Sequence, residues 1–153
     1  MPVLFTVGRV ALVLIFIVSG ALKLMDISGT AAFIATKVSI PAAGADLATQ
    51  IETALGMPWS KLLAIVVGLV EVLGGVMIVF NIGTRFAAIV LILFTLTATF
   101  YFHDFWNMAD MAKVDNANHA MKNLSLVGGL LILFVLTSWR AHAIEESADT
   151  DHY

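Results

Sequence analysis

Four long apolar blocks dominate the pattern of hydrophobic and polar positions along the chain. Each holds close to the ~20 residues that a helix needs to cross ~30 Å of hydrocarbon. The blocks cover residues 3–24, 59–80, 84–102 and 120–139. Charged residues are rare within them, although Arg9 lies in the first block and Glu71 near the centre of the second. The pattern predicts an all-α integral membrane protein, in which four transmembrane helices form a bundle.

The connection between the first two blocks carries helical patterns of its own. Ser28 is a candidate cap for a short helix that ends before Pro41. Farther on, Leu47, Ile51 and Leu55 recur every four residues among polar neighbours, as in a short amphipathic helix. We therefore expect short amphipathic helices between the first and second spans, the second of them on the membrane surface.

An even number of spans places both termini on one face of the membrane, here called side A. The short turn at residues 81–83 lies on the same face, and the two longer connections lie on the opposite face, side B. Lysines and arginines flank the spans on both faces, so the positive-inside rule leaves the orientation open. We assign residues 1–140 to the transmembrane domain. The acidic stretch 141–153 is predicted to be a flexible tail.

Two stretches in the second and fourth spans resemble each other. LGGVMIVF at residues 73–80 is similar to VGGLLILF at residues 127–134. One interpretation is a pair of related helical hairpins, and the other is chance likeness between apolar helices that each contain a Gly-Gly pair. Under either interpretation, the glycines let helix backbones approach closely and mark helix–helix contacts.

Composition narrows the range of functions. The chain is 60% hydrophobic and 12% charged, with a net charge of −3, which excludes the basic surface that nucleic-acid binding requires. It contains no cysteine. Disulfides, thiolate metal sites and the cysteine chemistry of thiol-oxidising membrane enzymes are therefore excluded as well.

Glu71 is the sharpest candidate for a functional residue. An ionisable side chain inside a span is costly and usually faces the bundle interior with a partner. Gly68, Glu71 and Gly75 share one helix face, which we expect to point inward. Arg9 is the expected ion-pair partner of Glu71. The sequence leaves two roles open for this carboxyl group, a structural clamp and the handling of protons.

Other polar residues are expected to extend this site into a seam that opens toward side B. The candidate cofactor-binding residues are Arg9, Lys23, His103, His119, Lys122 and Asn123. The competing interpretation is that the cations near span ends reach to lipid head groups, and that the histidines are interfacial. No metal site is predicted, since the histidines lack a metal-ligand spacing.

Six stretches, taken in order and spacing, resemble the DoxX family over residues 8–135. They are GR at 8–9, SGALKL at 19–24, EVLGG at 71–75, TRFAA at 84–88, FHDFW at 102–106 and HAMKNLSLVGGL at 119–130. The resemblance implies a small four-helix protein of the bacterial inner membrane. It also implies a link to quinone-dependent redox, because the family's namesakes are subunits associated with thiosulfate:quinone oxidoreduction.

Three classes of function follow from these observations. The first is a redox subunit that binds a quinone in the bundle and exchanges electrons through other membrane or redox subunits, because no haem, flavin or iron–sulfur motif is visible. The second is a non-catalytic accessory subunit that packs against a larger respiratory or photosynthetic complex, or that self-associates. The third is a small transporter of protons, lipids or metal ions.

Overall fold

The computed structural model describes the backbone of residues 2–150 and the side chains of residues 3–137. Within this part of the chain every regular element is helical and no strand is present. Four of the described helices are long and apolar enough to cross a membrane. The prediction of an all-α, four-span bundle is confirmed.

Six α-helices and two short 3₁₀ turns make up the described chain. The α-helices are α1 (Pro2–Met25), α2 (Ile27–Lys37), α3 (Ala45–Leu55), α4 (Trp59–Phe80), α5 (Thr84–Phe102) and α6 (Asp110–Thr150). The 3₁₀ turns are Ala42–Gly44 and Phe105–Asn107. The spanning helices are α1, α4, α5 and α6.

Helix α6 begins at Asp110 rather than near residue 120. Its first ten residues are mostly polar, so hydropathy does not mark them. They contain no proline or glycine, however, and nothing in them stops a helix. The side chains of the predicted acidic tail lie outside the described residues, and its flexibility stays a prediction.

The spanning helices pack as two antiparallel pairs. Helix α1 lies along α4, α5 lies along α6, and α4 also contacts α5. The second glycine of each similar stretch lies against α1: a Cβ atom on Gly75 would meet Ile17, and one on Gly129 would meet Leu12. These contacts agree with glycines marking close helix approaches. A relationship between the two hairpins stays a prediction.

Helix α2 packs into the side B end of the bundle instead of lying free on a surface. Its residues Ala31 and Ile34 are buried against Ala64 of α4. Asp26, rather than Ser28, caps the helix, since its carboxylate accepts a hydrogen bond from the Gly29 amide at 2.9 Å. An aspartate one residue before the helix satisfies an amide of the first turn.

Two contacts join α2 to the C-terminal end of α5 and to the residues just after it. The Phe33 ring stacks on Phe102 with centroids 5.3 Å apart. The Lys37 ammonium lies 3.1 Å from the carboxylate of Asp104. Helix α2 thereby closes the side B end of the space between α4 and α5.

Helix α3 has no buried residue. Its apolar side chains Leu47 and Leu55 are exposed. This agrees with an amphipathic helix, and its location on the membrane surface stays a prediction.

Candidate functional site

A buried ion pair joins α1 to α4 inside the bundle. The Lys23 Nζ atom lies 2.6 Å from the Glu71 Oε2 atom, and Glu71 retains 5% side-chain exposure. Lys23 also donates a hydrogen bond to the Ser19 hydroxyl at 2.5 Å, one helical turn away. The Lys23 side chain remains 29% exposed. The pair therefore has one deeply buried member and one member at the edge of the interior.

The close crossing of α1 and α4 creates this pair. A Cβ atom on Gly20 would lie 2.7 Å from the Gly68 carbonyl oxygen, so the two backbones nearly touch at these glycines. Lys23 follows Gly20 by three residues, and Glu71 follows Gly68 by three. Side chains lean toward the N-terminus of their own helix, and in antiparallel helices these two lean toward each other.

Arg9 does not pair with Glu71. Its Nη2 atom donates a hydrogen bond to the Val79 carbonyl oxygen at 3.1 Å, near the side A end of α4. The direction of the side chains explains the error. Arg9 leans toward the start of α1 and away from the membrane centre, whereas Glu71 leans toward side B. The predicted partner was on the right helix but about four turns too far toward side A.

A cavity of about 430 Å³ adjoins the ion pair. It lies between α1, α2, α4, α5 and α6, and its lining is mostly apolar. The lining residues are Ile15, Phe16, Ser19, Lys23, Thr30, Phe33, Ile34, Val38, Leu63, Val67, Glu71, Phe94, Thr95, Thr97, Ala98, Tyr101, Phe102, His103, Asn123 and Leu126. Its volume falls in the range of small-molecule sites, roughly 300–1,000 Å³.

Four of the predicted site residues line this cavity. They are Lys23, Glu71, His103 and Asn123. The Asn123 amide is positioned by a 2.8 Å hydrogen bond that it donates to the Thr99 hydroxyl. The structure thus brings together four of the seven predicted site residues, which lie on or next to four different helices.

The histidines form a stack at the side B end of the cavity. The His103 and His119 rings are nearly parallel, with centroids 4.9 Å apart. The His103 Nδ1 atom lies 3.1 Å from the Asn116 side-chain oxygen. The His119 ring packs on the His103 ring but does not itself line the cavity. Among the described residues, no group of three or more histidine and carboxylate side chains is placed to hold a metal ion.

Lys122 lies outside the cavity. Lys122 and Ser125 stand in the same spacing to Gly129 as Gly68 and Glu71 do to Gly75, but both are exposed, so this stripe of α6 does not face inward. The inward face of α6 carries Val127, Leu130 and Leu133, which are buried.

Sequence reasoning missed the hydroxyl groups and the contribution of α2. Ser19 precedes Lys23 by one turn, which is a signal that the sequence contains. Thr95 is buried, and its hydroxyl donates to the Leu91 carbonyl oxygen at 2.7 Å. Thr30, on α2, lines the cavity through the long-range packing of that helix, for which no local pattern exists.

The arrangement provides an ammonium donor, a carboxylate acceptor and an amide around an apolar slot. A flat ring with polar oxygens at its edges suits such a site, because the ring contacts apolar walls and the oxygens accept hydrogen bonds. The Phe16 and Phe94 side chains supply aromatic surface to the walls.

Comparison with known proteins gives the same family as the sequence motifs. The family model named DoxX matches residues 4–104. The inner membrane protein YphA of Escherichia coli (strain K12) is 32% identical over 134 residues, which cover 88% of this chain and 83% of that protein. No solved structure matches the chain. With its four spanning helices, this chain is a multi-pass protein of the bacterial inner membrane that belongs to the DoxX family.

Proposed function

We propose that this protein is a membrane subunit of a quinone-linked oxidoreductase system, and that it binds the quinone head group in the cavity beside Lys23 and Glu71. The observation that carries the proposal is a buried ion pair on the wall of an apolar cavity of about 430 Å³. Charged side chains in the membrane interior are costly and usually mark a functional site, which favours a polar ligand beside the pair.

The donor set fits a quinone. Among the described residues, two of the three Lys23 N–H groups have acceptors, on Glu71 and Ser19, and the third is available to a quinone carbonyl oxygen. Asn123 lies on α6 and adds a second amide N–H besides the one given to Thr99. The two donors belong to different helices, α1 and α6, which suits a ring with two opposed carbonyl groups.

A bound quinone supplies two-electron chemistry, because reduction of its head group takes up two electrons and two protons. The electrons come from a partner subunit or a soluble redox protein, since the sequence carries no haem, flavin or iron–sulfur motif of its own. In this chain, the Lys23 ammonium holds a proton against the head-group oxygen. The Glu71 carboxylate stabilises that ammonium in the membrane interior.

Glu71→Gln tests this proposal. The variant removes the carboxylate charge and keeps an oxygen acceptor for Lys23, so the helix contact is largely retained. We expect quinone-linked dye reduction in host membranes to fall by about 100-fold, because the Lys23 ammonium that holds the proton loses its carboxylate partner. The protein level, measured by immunoblot, should stay close to that of the parent.

Lys122→Gln is the matched control, because it removes a charge from an exposed site outside the cavity. It should leave both activity and protein level unchanged. Parallel loss of activity and protein in Glu71→Gln would show that the pair is a structural clamp, and the redox proposal would fall.

One observation favours a second candidate, a non-catalytic accessory subunit. The Lys23–Glu71 pair also fastens α1 to α4, which is a structural role that needs no ligand. Copurification with a larger respiratory complex, with no quinone in the lipid extract, would support this alternative. The described spanning helices are continuous, so no broken helix favours a transporter.

A further inference from the structure

A shallow groove on the outer face of α1 meets the cavity at Lys23. Its lining residues run along α1 from Ala11 to Lys23 and include Asp26 and Thr30 beyond them. Four of these residues, Ile15, Ser19, Lys23 and Thr30, also line the cavity. The groove and the cavity therefore adjoin each other, and the partly exposed Lys23 lies between them.

The groove is polar at one end and apolar along the rest of its length. Ser19, Lys23, Asp26 and Thr30 lie at the side B end. Toward side A the lining consists of small and aliphatic side chains, of which Leu14 and Val18 are 53% and 50% exposed. From residue 11 to residue 23 the groove follows α1 for about 18 Å along the direction of the lipid tails.

We propose that this groove seats the hydrocarbon tail of the quinone whose head occupies the cavity, so that the ligand enters sideways from the bilayer past Lys23. The inference rests on the proposed function and specifies its ligand as a long-tailed quinone. The four residues that the groove shares with the cavity are the reason to assign the tail to this face of α1 rather than to other lipid-facing surfaces. The polar end receives the head, and the apolar part receives the tail.

Photocrosslinking in lipid nanodiscs tests the inference without any activity measurement. The probe is a quinone that carries a diazirine partway along its prenyl tail, and the crosslinked residues are mapped by mass spectrometry. A tailless quinone serves as a competitor for the head site. A phospholipid with the same diazirine reports the general pattern of lipid contact.

Val18→Trp fills the groove, and Leu93→Trp places the same ring on an exposed position of α5 outside both the groove and the cavity. We expect crosslinks concentrated on residues 11–22, removed by the tailless quinone, and reduced several-fold by Val18→Trp but not by Leu93→Trp. The phospholipid should instead label all the exposed spans.

The outcomes separate the two proposals. Crosslinks that the tailless quinone removes, but that map to α5 or α6, would overturn the groove and leave the head-group site standing. Equal effects of the two tryptophan variants would do the same. If the competitor removes no crosslinks, or the quinone and phospholipid patterns coincide, both proposals fall.

Discussion

Replacing Lys23 with Met is expected to destabilise the protein by about 3 kcal/mol. The change leaves the Glu71 carboxylate at 5% exposure without its ammonium. Removing one member of a buried ion pair costs about 3–5 kcal/mol, and Lys23 is itself partly exposed, which places the expected cost at the lower end. An isolated carboxylate within a span costs a similar amount, about 2.5–3.5 kcal/mol.

Glu71→Gln should cost much less, about 1 kcal/mol. The amide oxygen still accepts a hydrogen bond from Lys23, and the ammonium keeps its bond to Ser19. The double variant Lys23→Met with Glu71→Leu should recover most of the loss, because apolar replacement of a whole buried pair is often close to neutral.

The free energy of unfolding is measured by titrating the purified variants with SDS in mixed micelles and following helicity by circular dichroism. Lys122→Met is the matched control and should lie within about 0.5 kcal/mol of the parent protein, as for other exposed substitutions. A cost below about 1 kcal/mol for Lys23→Met, or a larger cost for Glu71→Gln, would refute the reasoning from burial.

Two further variants test the helix crossing and the side A contact by the same titration. Gly20→Val places a Cβ atom 2.7 Å from the rigid Gly68 carbonyl oxygen and should cost about 1–3 kcal/mol, whereas Gly8→Val, with nothing within 4 Å, should be nearly neutral. Equal costs would contradict the close crossing. Arg9→Met removes the hydrogen bond to the Val79 carbonyl and should cost about 1–2 kcal/mol without changing quinone binding. Reduced quinone binding in the Arg9→Met variant would instead show that Arg9 contributes to the quinone site.

Hydropathy alone predicted much of the fold. Each apolar block is long enough to span the bilayer. Because no water is present there to hydrogen-bond the backbone, such a segment forms a helix, which satisfies its own N–H and C=O groups. The sequence also identified Glu71 as inward facing, because Gly68 and Gly75 share its face and allow a neighbouring helix to approach. These inferences depend on one helix at a time.

Contacts between two helices depend on more than position along each helix. Distance along α1 favours Arg9 as the partner of Glu71, but the direction in which side chains lean favours Lys23. With that rule, the sequence contained enough information to select Lys23. Whether Lys122 faces the cavity depends on how α6 is rotated about its own axis. Packing of the whole bundle sets that rotation, and the Gly-Gly pair of α6 does not reveal it.

The position of α2 had no local signal. Its Phe33–Phe102 stack and its Lys37–Asp104 ion pair join residues that are 67 or more positions apart in the sequence. The cavity exists because this helix closes one end of it. Sequence motifs alone therefore locate the polar residues but not the cavity that they line.

The quinone content of the purified protein tests the central claim most directly. The protein is extracted from host membranes in polymer-bounded native discs, and quinone is quantified in the lipid extract relative to protein and phospholipid. The matched variant is Ala98→Phe, which fills the cavity from α5 and leaves the ion pair in place. We expect stoichiometric enrichment of quinone over bulk membrane in the parent protein and a bulk level in Ala98→Phe. A bulk level in both proteins would contradict the proposed quinone site.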